Sequence, residues 1–135
     1  MRRPSMSKLE EKVITLLQKG HIQFMREKTF PDLRKGRFRY DFEVYVDGCR
    51  ALVEVQGQQH YQFISKFYKR RADFERAKER DRRKISYALA HRIPLYIIPY
   101  WELEHITTAR DLLRPQYLAT TRWKNDQDWI DHQKI

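Results

Sequence analysis

The chain has 135 residues, with 28 Lys and Arg against 18 Asp and Glu, and a formal net charge of +10. This length fits one domain, and the charge favours a polyanion as partner, nucleic acid more than an acidic membrane surface. The single cysteine, Cys49, excludes an internal disulfide and a cysteine-based zinc site, which is typical of a reducing cytoplasm. No run of residues resembles a signal peptide or spans a bilayer, so we expect a soluble, cytoplasmic protein without membrane contact.

The N-terminal elements follow from the spacing of apolar residues. Leucines and a valine recur at helical spacing over residues 7–19, which predicts a first helix there, and Ser7 with Glu10 fits a capping box at its start. A short strand is expected over residues 21–24, followed by a basic loop over residues 29–36.

A hairpin with a carboxylate on each arm is the most informative segment. Apolar and polar residues alternate over residues 38–46, the period of a half-buried strand, and the dipeptide at 47–48 is Asp-Gly, a strong turn signal. Counting back from that turn sets Asp41 opposite Glu54 on one face. Two like charges about 5 Å apart destabilise a sheet, whereas a divalent cation between them reverses the sign of the interaction.

The long charged segment after the hairpin contains no Gly or Pro and predicts a second helix over residues 67–91. Asp81 lies on its apolar stripe, and a buried acid requires a partner. Lys84, one turn later, is one candidate, and a metal or a histidine is another. An ordinary salt bridge between positions i and i+3 explains Asp81 equally well. The stripe itself consists of Phe74, Ala77, Ile85 and Ala88.

The remaining elements complete an α/β pattern. A buried strand is predicted over residues 95–98 and a third helix over residues 102–113. A helix, a meander of strands, a crossover helix and a further strand predict an α/β/α sandwich with a central mixed sheet. We expect a single domain over residues 1–135, with a core of about 7–113 and a C-terminal extension over 114–135. Trp123 and Trp129 of the extension would pack on the core, in the first interpretation, or else form a dimer interface or stack on bases.

Four segments, in this order, carry a resemblance to a known family. They are YDF at 40–42, VEVQGQQHY at 53–61, the pair Asp81 and Lys84, and IPLYIIPYWE at 93–102. Over residues 7 to about 105 the chain resembles the PD-(D/E)XK nuclease superfamily. Within it, the chain is similar to small phage-type enzymes of the branch with the very-short-patch-repair endonuclease and the EDxHD homing endonucleases.

The resemblance implies a restriction-endonuclease-like core and Mg²⁺-dependent hydrolysis of DNA phosphodiesters, with Mn²⁺ as a substitute, in a phage or its bacterial host. Asp41 and Glu54 would bind the metal. His60 would be a general base or a donor to the scissile phosphate, Asp81 would orient His60, and Lys84 would contact phosphate.

Two further positions leave alternatives open. Gln56 stands where this branch carries an acid, or the wider superfamily a lysine, and an amide can ligate a metal but brings no charge. The protein is then a nuclease with a weakened metal site, one that relies on His60, or a DNA-binding remnant. Glu10 matches a helical glutamate that holds metal-bound water, or else only caps its helix.

The expected partner is DNA, whose phosphates would be contacted by basic residues on the hairpin and the long helix. A monomer would nick DNA, and a double-strand cut would require a dimer or higher homo-oligomer. The alternative function is a non-catalytic DNA- or RNA-binding module on the same fold. The basic residues concerned are Arg39, Lys69, Arg70, Arg71, Arg76, Arg80 and Arg83.

Overall fold

The structure is a computed structural model that describes residues 7–57 and 70–119. No helix within these ranges combines the length and apolar character needed to cross a membrane. The elements are helix α1 (Lys8–Lys19), strands β1 (Gln23–Thr29), β2 (Arg39–Val46) and β3 (Cys49–Gln56), helix α2 (Arg71–Ala90) and strand β4 (Leu95–Pro99). Short 3-10 turns lie at Arg34–Gly36, Leu103–His105, Ala109–Leu113 and Pro115–Tyr117.

The four strands form one mixed sheet in the order β1-β2-β3-β4. The first three are antiparallel neighbours, and β4 pairs parallel with β3 after the chain has passed through α2. Alternate side chains of β3 pack on opposite sides, Val53 with α1 and Leu52 with α2. The predicted α/β fold with a mixed sheet and a helix on each face is therefore confirmed for the described residues.

Helix α1 begins where its sequence predicts. The Ser7 hydroxyl accepts a hydrogen bond from the Glu10 amide at 3.1 Å, which satisfies a free donor of the first turn. Val13, Leu16 and Leu17 are buried and form, with one face of the sheet, what we call the α1-side core.

The hairpin has the register that its turn predicts. Asp47 and Gly48 have φ angles of 53° and 79°, the left-handed pair that a type I′ turn requires. Val46 then pairs with Cys49, and the antiparallel register runs on to Phe42 opposite Val53.

The sequence predicted that the apolar residues of β2 all lie on one face of the sheet. In the structure they lie on both faces. Phe42 and Val44 belong to the α1-side core, whereas Tyr40 packs with Leu52 and α2 in what we call the α2-side core. The change of face occurs at Asp41, opposite Glu27 of β1, which has a φ of 56°. Arg26 pairs with Phe42 and Lys28 with Tyr40 on either side of this break.

Because β1 and β2 change face together, the first half of β2 packs against α2 and the second half packs against α1. Aromatic contacts show the same division. Phe24 meets Phe42 edge-on at 6.0 Å between ring centroids, and Phe30 meets Tyr40 at 5.8 Å. A left-handed non-glycine residue costs about 1–2 kcal/mol, so the surrounding contacts must hold Glu27 in this conformation.

Helix α2 lies within the predicted segment and buries the predicted stripe at Phe74, Ile85 and Ala88. Asp81 and Lys84 are buried as well, at 6 and 7% exposure. Positions 67–69, which the prediction included in this helix, lie outside the described residues.

Two sequence predictions of elements are wrong in extent or type. Strand β1 runs over Gln23–Thr29 rather than 21–24, because pairing with β2 outweighs the low strand preference of its charged residues. The predicted helix over 102–113 is two separate 3-10 turns. Thr108 caps the second turn in a reciprocal capping box with Asp111. A capping box marks the start of a helical segment, so the chain does not continue as one helix through Thr108.

The chain beyond the last turn returns to the sheet. Tyr117 lies in the α1-side core, Ala119 lies in the α2-side core, and Leu118 forms an isolated antiparallel bridge with Tyr96 of β4. The first residues of the predicted extension therefore belong to the core. Trp123 and Trp129 lie outside the described residues.

The hairpin turn gives a test of its backbone. An ideal Cβ on Gly48 meets nothing within 4 Å, so any loss of stability on substitution reflects the φ of 79° alone. We expect Gly48→Ala to lower the free energy of unfolding by about 1–2 kcal/mol, and Gly48→Asn by less, because asparagine tolerates left-handed backbone. Urea unfolding of both variants measures the difference. Equal losses in the two would contradict this explanation.

Candidate active site

Asp41 and Glu54 meet at the point where β2 changes face. The Asp41 amide donates to Glu54 Oε1 at 2.9 Å, and the Val55 amide donates to Asp41 Oδ2 at 2.8 Å. These side-chain bonds lie just beyond the last regular pair of β2 and β3, Phe42 with Val53. The two carboxylates predicted to be neighbours are therefore neighbours.

Lys84 of α2 closes this site from the helix side. Its Nζ donates to Glu54 Oε2 at 2.8 Å, with both side chains less than a tenth exposed. Three of the four carboxylate oxygens of Asp41 and Glu54 thus accept hydrogen bonds. The sequence offered Lys84 as one candidate partner of Asp81. In the structure the Lys84 ammonium donates to Glu54 of the sheet, and the Asp81 charge helps to raise the pKa of Lys84.

Tyr40 contacts both the backbone and the side chain of Lys84. Its hydroxyl donates to the Lys84 carbonyl oxygen at 2.7 Å, and the Lys84 ammonium lies 5.1 Å from the centroid of the Tyr40 ring. Tyr40 is fully buried, and its burial, followed by the Glu54 charge, raises the pKa of its hydroxyl. The neutral tyrosine therefore positions both the backbone and the charge of Lys84.

Burial and neighbouring charges shift the pKa values of both Asp41 and Lys84. Withdrawal from water raises the pKa of Asp41 to about 8, the Glu54 charge adds to that rise, and Lys84 opposes it. Burial lowers the pKa of Lys84, but Glu54, Asp81 and Asp41 together raise it above its ordinary value. Lys84 thus stays charged, and Asp41 is the carboxyl that takes up a proton near neutral pH.

The other predicted residues in the described ranges lie close to this group. Gln56, two residues after Glu54 on the same side of β3, is 1% exposed. Glu10 both contacts the Ser7 hydroxyl, at 3.2 Å, and contributes to the raised pKa of Asp41. Glu10 also lies 3.5 Å from Arg26. The capping contact of Glu10 and its place beside the site are both present in the structure.

The described residues contain part of a possible metal-binding site. Within residues 7–57 and 70–119, no group of three His, Cys, Asp and Glu side chains is arranged to hold a metal ion. Two carboxylates with a nearby amide nevertheless suit Mg²⁺, which keeps several waters and needs one or two carboxylates. His60, the predicted base, lies outside the described residues, and so does Lys69.

The predicted DNA-contacting arginines are exposed, and several are paired with acids. Arg39 lies 3.6 Å from Glu27. Arg70 and Arg76 share Asp73, and Arg83 reaches Glu79 at 3.4 Å. The Arg71 guanidinium lies over the Phe74 ring, and Arg80 is exposed on α2. Part of the positive charge of α2 is thus neutralised within the helix.

Sequence reasoning missed one buried acid. Glu43 is 0% exposed, accepts a hydrogen bond from the Tyr45 hydroxyl, and lies 3.6 Å from both Lys28 and Arg50. The alternation of β2 had placed Glu43 on the polar side. Arg50, directly opposite Tyr45 in the predicted register, was the available signal for a charge cluster.

Comparison with known proteins gives little guidance. No family model and no solved structure matches the chain. One curated protein, "Uncharacterized protein 307L" of Invertebrate iridescent virus 6, is 28% identical over 82 residues. The aligned part covers 61% of this chain and 42% of the viral protein, so the chain spans less than half of that relative.

The pKa of Asp41 predicts how stability depends on pH. The unfolded carboxyl titrates near about 3.9, and the folded one near 8. Between these values only the folded state holds the proton, so the free energy of unfolding falls as pH rises from about 4 to about 8. Asp41→Asn removes this contribution. We expect the variant to be the more stable chain above about pH 8, by at least about 1.4 kcal/mol, the equivalent of one pKa unit.

Urea unfolding in a chelator, at intervals from about pH 4.5 to about pH 9, measures this difference. Asp47→Asn, at an exposed turn carboxylate, is the matched control and should follow the native curve. A stability difference between Asp41→Asn and the native chain that is the same at every pH would contradict the raised pKa.

Breaking the buried ion pair should be severe. Lys84→Met leaves the Glu54 charge buried without its partner, and we expect a loss of about 3–5 kcal/mol in the free energy of unfolding. Adding Glu54→Gln removes the stranded charge, so the double variant should recover most of that loss. Arg83→Met, at an exposed neighbour on α2, should change stability by less than about 0.5 kcal/mol. A double variant no more stable than Lys84→Met would contradict the pairing.

Proposed function

We propose that the chain is a Mg²⁺-dependent endodeoxyribonuclease built on a PD-(D/E)XK, restriction-endonuclease-like core. The observation that carries the proposal is the convergence of Asp41, Glu54 and Lys84 within hydrogen-bonding distance from three separate elements. The order of helix, three antiparallel strands, helix and parallel strand supports the same core, since it puts a helix on each sheet face. The net charge of +10 supports a polyanionic substrate.

Asp41 and Glu54 would hold the metal, with the Gln56 amide as a neutral oxygen nearby. When bound, Mg²⁺ stabilises charge on the transferring phosphate and lowers the pKa of an attacking water, and Mn²⁺ can replace it. The proximity of the buried Glu54 to the half-buried Asp41 supports this assignment. Two carboxylates that face each other are unfavourable in a sheet unless a cation lies between them.

Lys84 would bind a nonbridging oxygen of the scissile phosphate. Its position supports this role, because the Tyr40 hydroxyl and ring hold the lysine against the two acids. A buried ammonium in a site of low dielectric stabilises developing negative charge more than it would in water. Asp81 keeps that ammonium protonated through its charge.

His60 would accept the proton of the attacking water, as the resemblance implies, with Asp81 orienting it. Glu10 would hold a metal-bound water from the α1 side, and its electrostatic influence on Asp41 supports that placement. Gln56 replaces the charged residue of the related enzymes. Lys84 would then supply the positive charge that the wider superfamily provides at that position.

One observation favours a second candidate, a DNA- or RNA-binding module without catalysis. The Lys84 ammonium already neutralises Glu54 at 2.8 Å, so the site is electrostatically satisfied without a metal. In that function the exposed arginines of α2 would contact phosphates, and the acids would only fix the helix on the sheet.

Cleavage of supercoiled plasmid with Mg²⁺ or Mn²⁺ separates the two functions. We expect the native chain to nick plasmid, with relaxed circles appearing before linear DNA if the chain acts as a monomer. Glu54→Gln should lower the rate by more than about 100-fold, beyond the loss typical of a residue that only orients a ligand. His60→Ala should also lower the rate.

Glu11→Gln, at an exposed carboxylate of α1, is the control and should cleave like the native chain. Circular dichroism and thermal unfolding check that each variant is folded. A native chain that binds DNA tightly yet nicks it with neither metal would establish the binding module instead of the enzyme.

A further inference from the structure

A cleft on α2 lies beside the proposed site and is not part of it. It has a volume of about 710 Å³, which falls within the range of about 300–1,000 Å³ usual for small-ligand sites. One wall is the loop before β2, and the other is the flank of α2 next to the one that carries Lys84. Its lining residues are Asp32, Leu33, Arg34, Glu79, Arg82, Arg83, Ile85, Ser86 and Leu89.

The loop wall is held in an unfavourable backbone conformation. Arg34 and Lys35 have φ angles of 49° and 54°, and Gly36 follows at 76°, so three successive residues are left-handed. Each of the two non-glycine residues costs about 1–2 kcal/mol in this conformation. The turn contributes the exposed Arg34 to the lining of the cleft, and strain of this kind concentrates at functional sites.

The lining carries three arginines and two acids, an excess of one positive charge that favours an anion. Within the described part of the chain, Arg34 makes no ion pair and lies 5.8 Å from the centroid of the Phe38 ring. The two acids of the lining are already engaged. Asp32 accepts from the Tyr87 hydroxyl at 2.5 Å, and Glu79 accepts from Arg82 at 2.7 Å.

The α2 wall adds an apolar surface to these charges. Leu89 is 46% exposed and, with Met25, is one of two large apolar side chains exposed among the described residues. An arginine without an ion pair among the described residues and an exposed leucine, both in the lining, suit a ligand with a phosphate and a flat apolar body. A nucleotide has both, and its base is open to such contact only when it is unpaired.

We propose that this cleft binds one unpaired nucleotide of a nucleic-acid strand, with its phosphate at Arg34 and its base against Leu89. The inference rests on the proposed nuclease function and narrows its substrate class to DNA that carries an unpaired nucleotide near the cleavage point. Ile85 of the cleft follows Lys84 directly along α2. The cleft and the proposed site are therefore lined by neighbouring positions of one helix.

Binding without metal tests the proposal independently of cleavage. Fluorescence anisotropy in a chelator compares a labelled single strand, the same strand as a duplex, and a strand of abasic units with the same number of phosphates. The variants are Arg34→Asn, which suits left-handed backbone, and Leu89→Gln, which suits a helix. Their controls are Arg110→Asn, an exposed arginine beside the hairpin turn, and Met25→Gln.

We expect Arg34→Asn to weaken binding of both the normal and the abasic strand about 5–10-fold relative to Arg110→Asn. Leu89→Gln should weaken binding of the normal strand by a similar factor, but it should leave the abasic strand and the duplex unchanged, because only an unpaired base reaches Leu89. Single strands of DNA and RNA with one sequence identify which nucleic acid supplies the nucleotide.

Variants that bind every strand like their controls would overturn the cleft assignment. If the native chain still nicks plasmid in that case, the proposed nuclease function stands and only this inference falls. A native chain that binds none of the three ligands would overturn the cleft assignment, and plasmid nicking with Mg²⁺ or Mn²⁺ would decide the nuclease function separately.

Discussion

The hydrogen bond between Lys84 and Glu54 ties the charged face of α2 to the centre of the sheet. Both ions are out of water, so each depends on further partners: the Asp41 amide for Glu54, and the Tyr40 ring for Lys84. A buried ion pair adds little net stability, but it strongly disfavours any arrangement in which one member is left alone. The position of α2 over the strands and the geometry of the candidate site are therefore set by the same contact.

The distribution of charge follows from this arrangement. At the candidate site Asp41 and Glu54 lie on the sheet and Lys84 lies on the helix that covers it, so this part of the interior is locally balanced while the surface keeps the excess of positive charge. That excess is smaller along α2 than its arginines suggest, since Asp73 and Glu79 each engage two of them. A polyanion would meet a helix whose basic groups are held in defined positions, which favours recognition of particular phosphates over diffuse attraction.

Features of the fold that arise from local sequence signals can be predicted from the sequence, whereas features that arise from contacts between distant residues cannot. The hairpin register follows from Asp47 and Gly48, and the cap of α1 from Ser7, because these signals are local. The change of face at Asp41 depends on Glu27 in another strand, which no period along β2 reveals. The break at Thr108 is local, and its capping pattern with Asp111 is visible in the sequence.

The candidate site divides in the same way. The opposition of Asp41 and Glu54 follows from counting along a hairpin, so sequence reasoning brought the two acids together. The hydrogen bond from Lys84 to Glu54 depends on how α2 packs on the sheet. The burial of Glu43 depends likewise on Lys28 and Arg50 from neighbouring strands. These tertiary contacts leave no periodic signal.

The change of face in β2 also divides the molecule into two cooperative parts. Residues before Asp41 share their contacts with α2, and residues after it share theirs with α1. Local opening of α2 would then release the Tyr40 end of the strand while the tip of the hairpin stays closed. Amide hydrogens on one strand would exchange with solvent in two groups, with the boundary at the carboxylates.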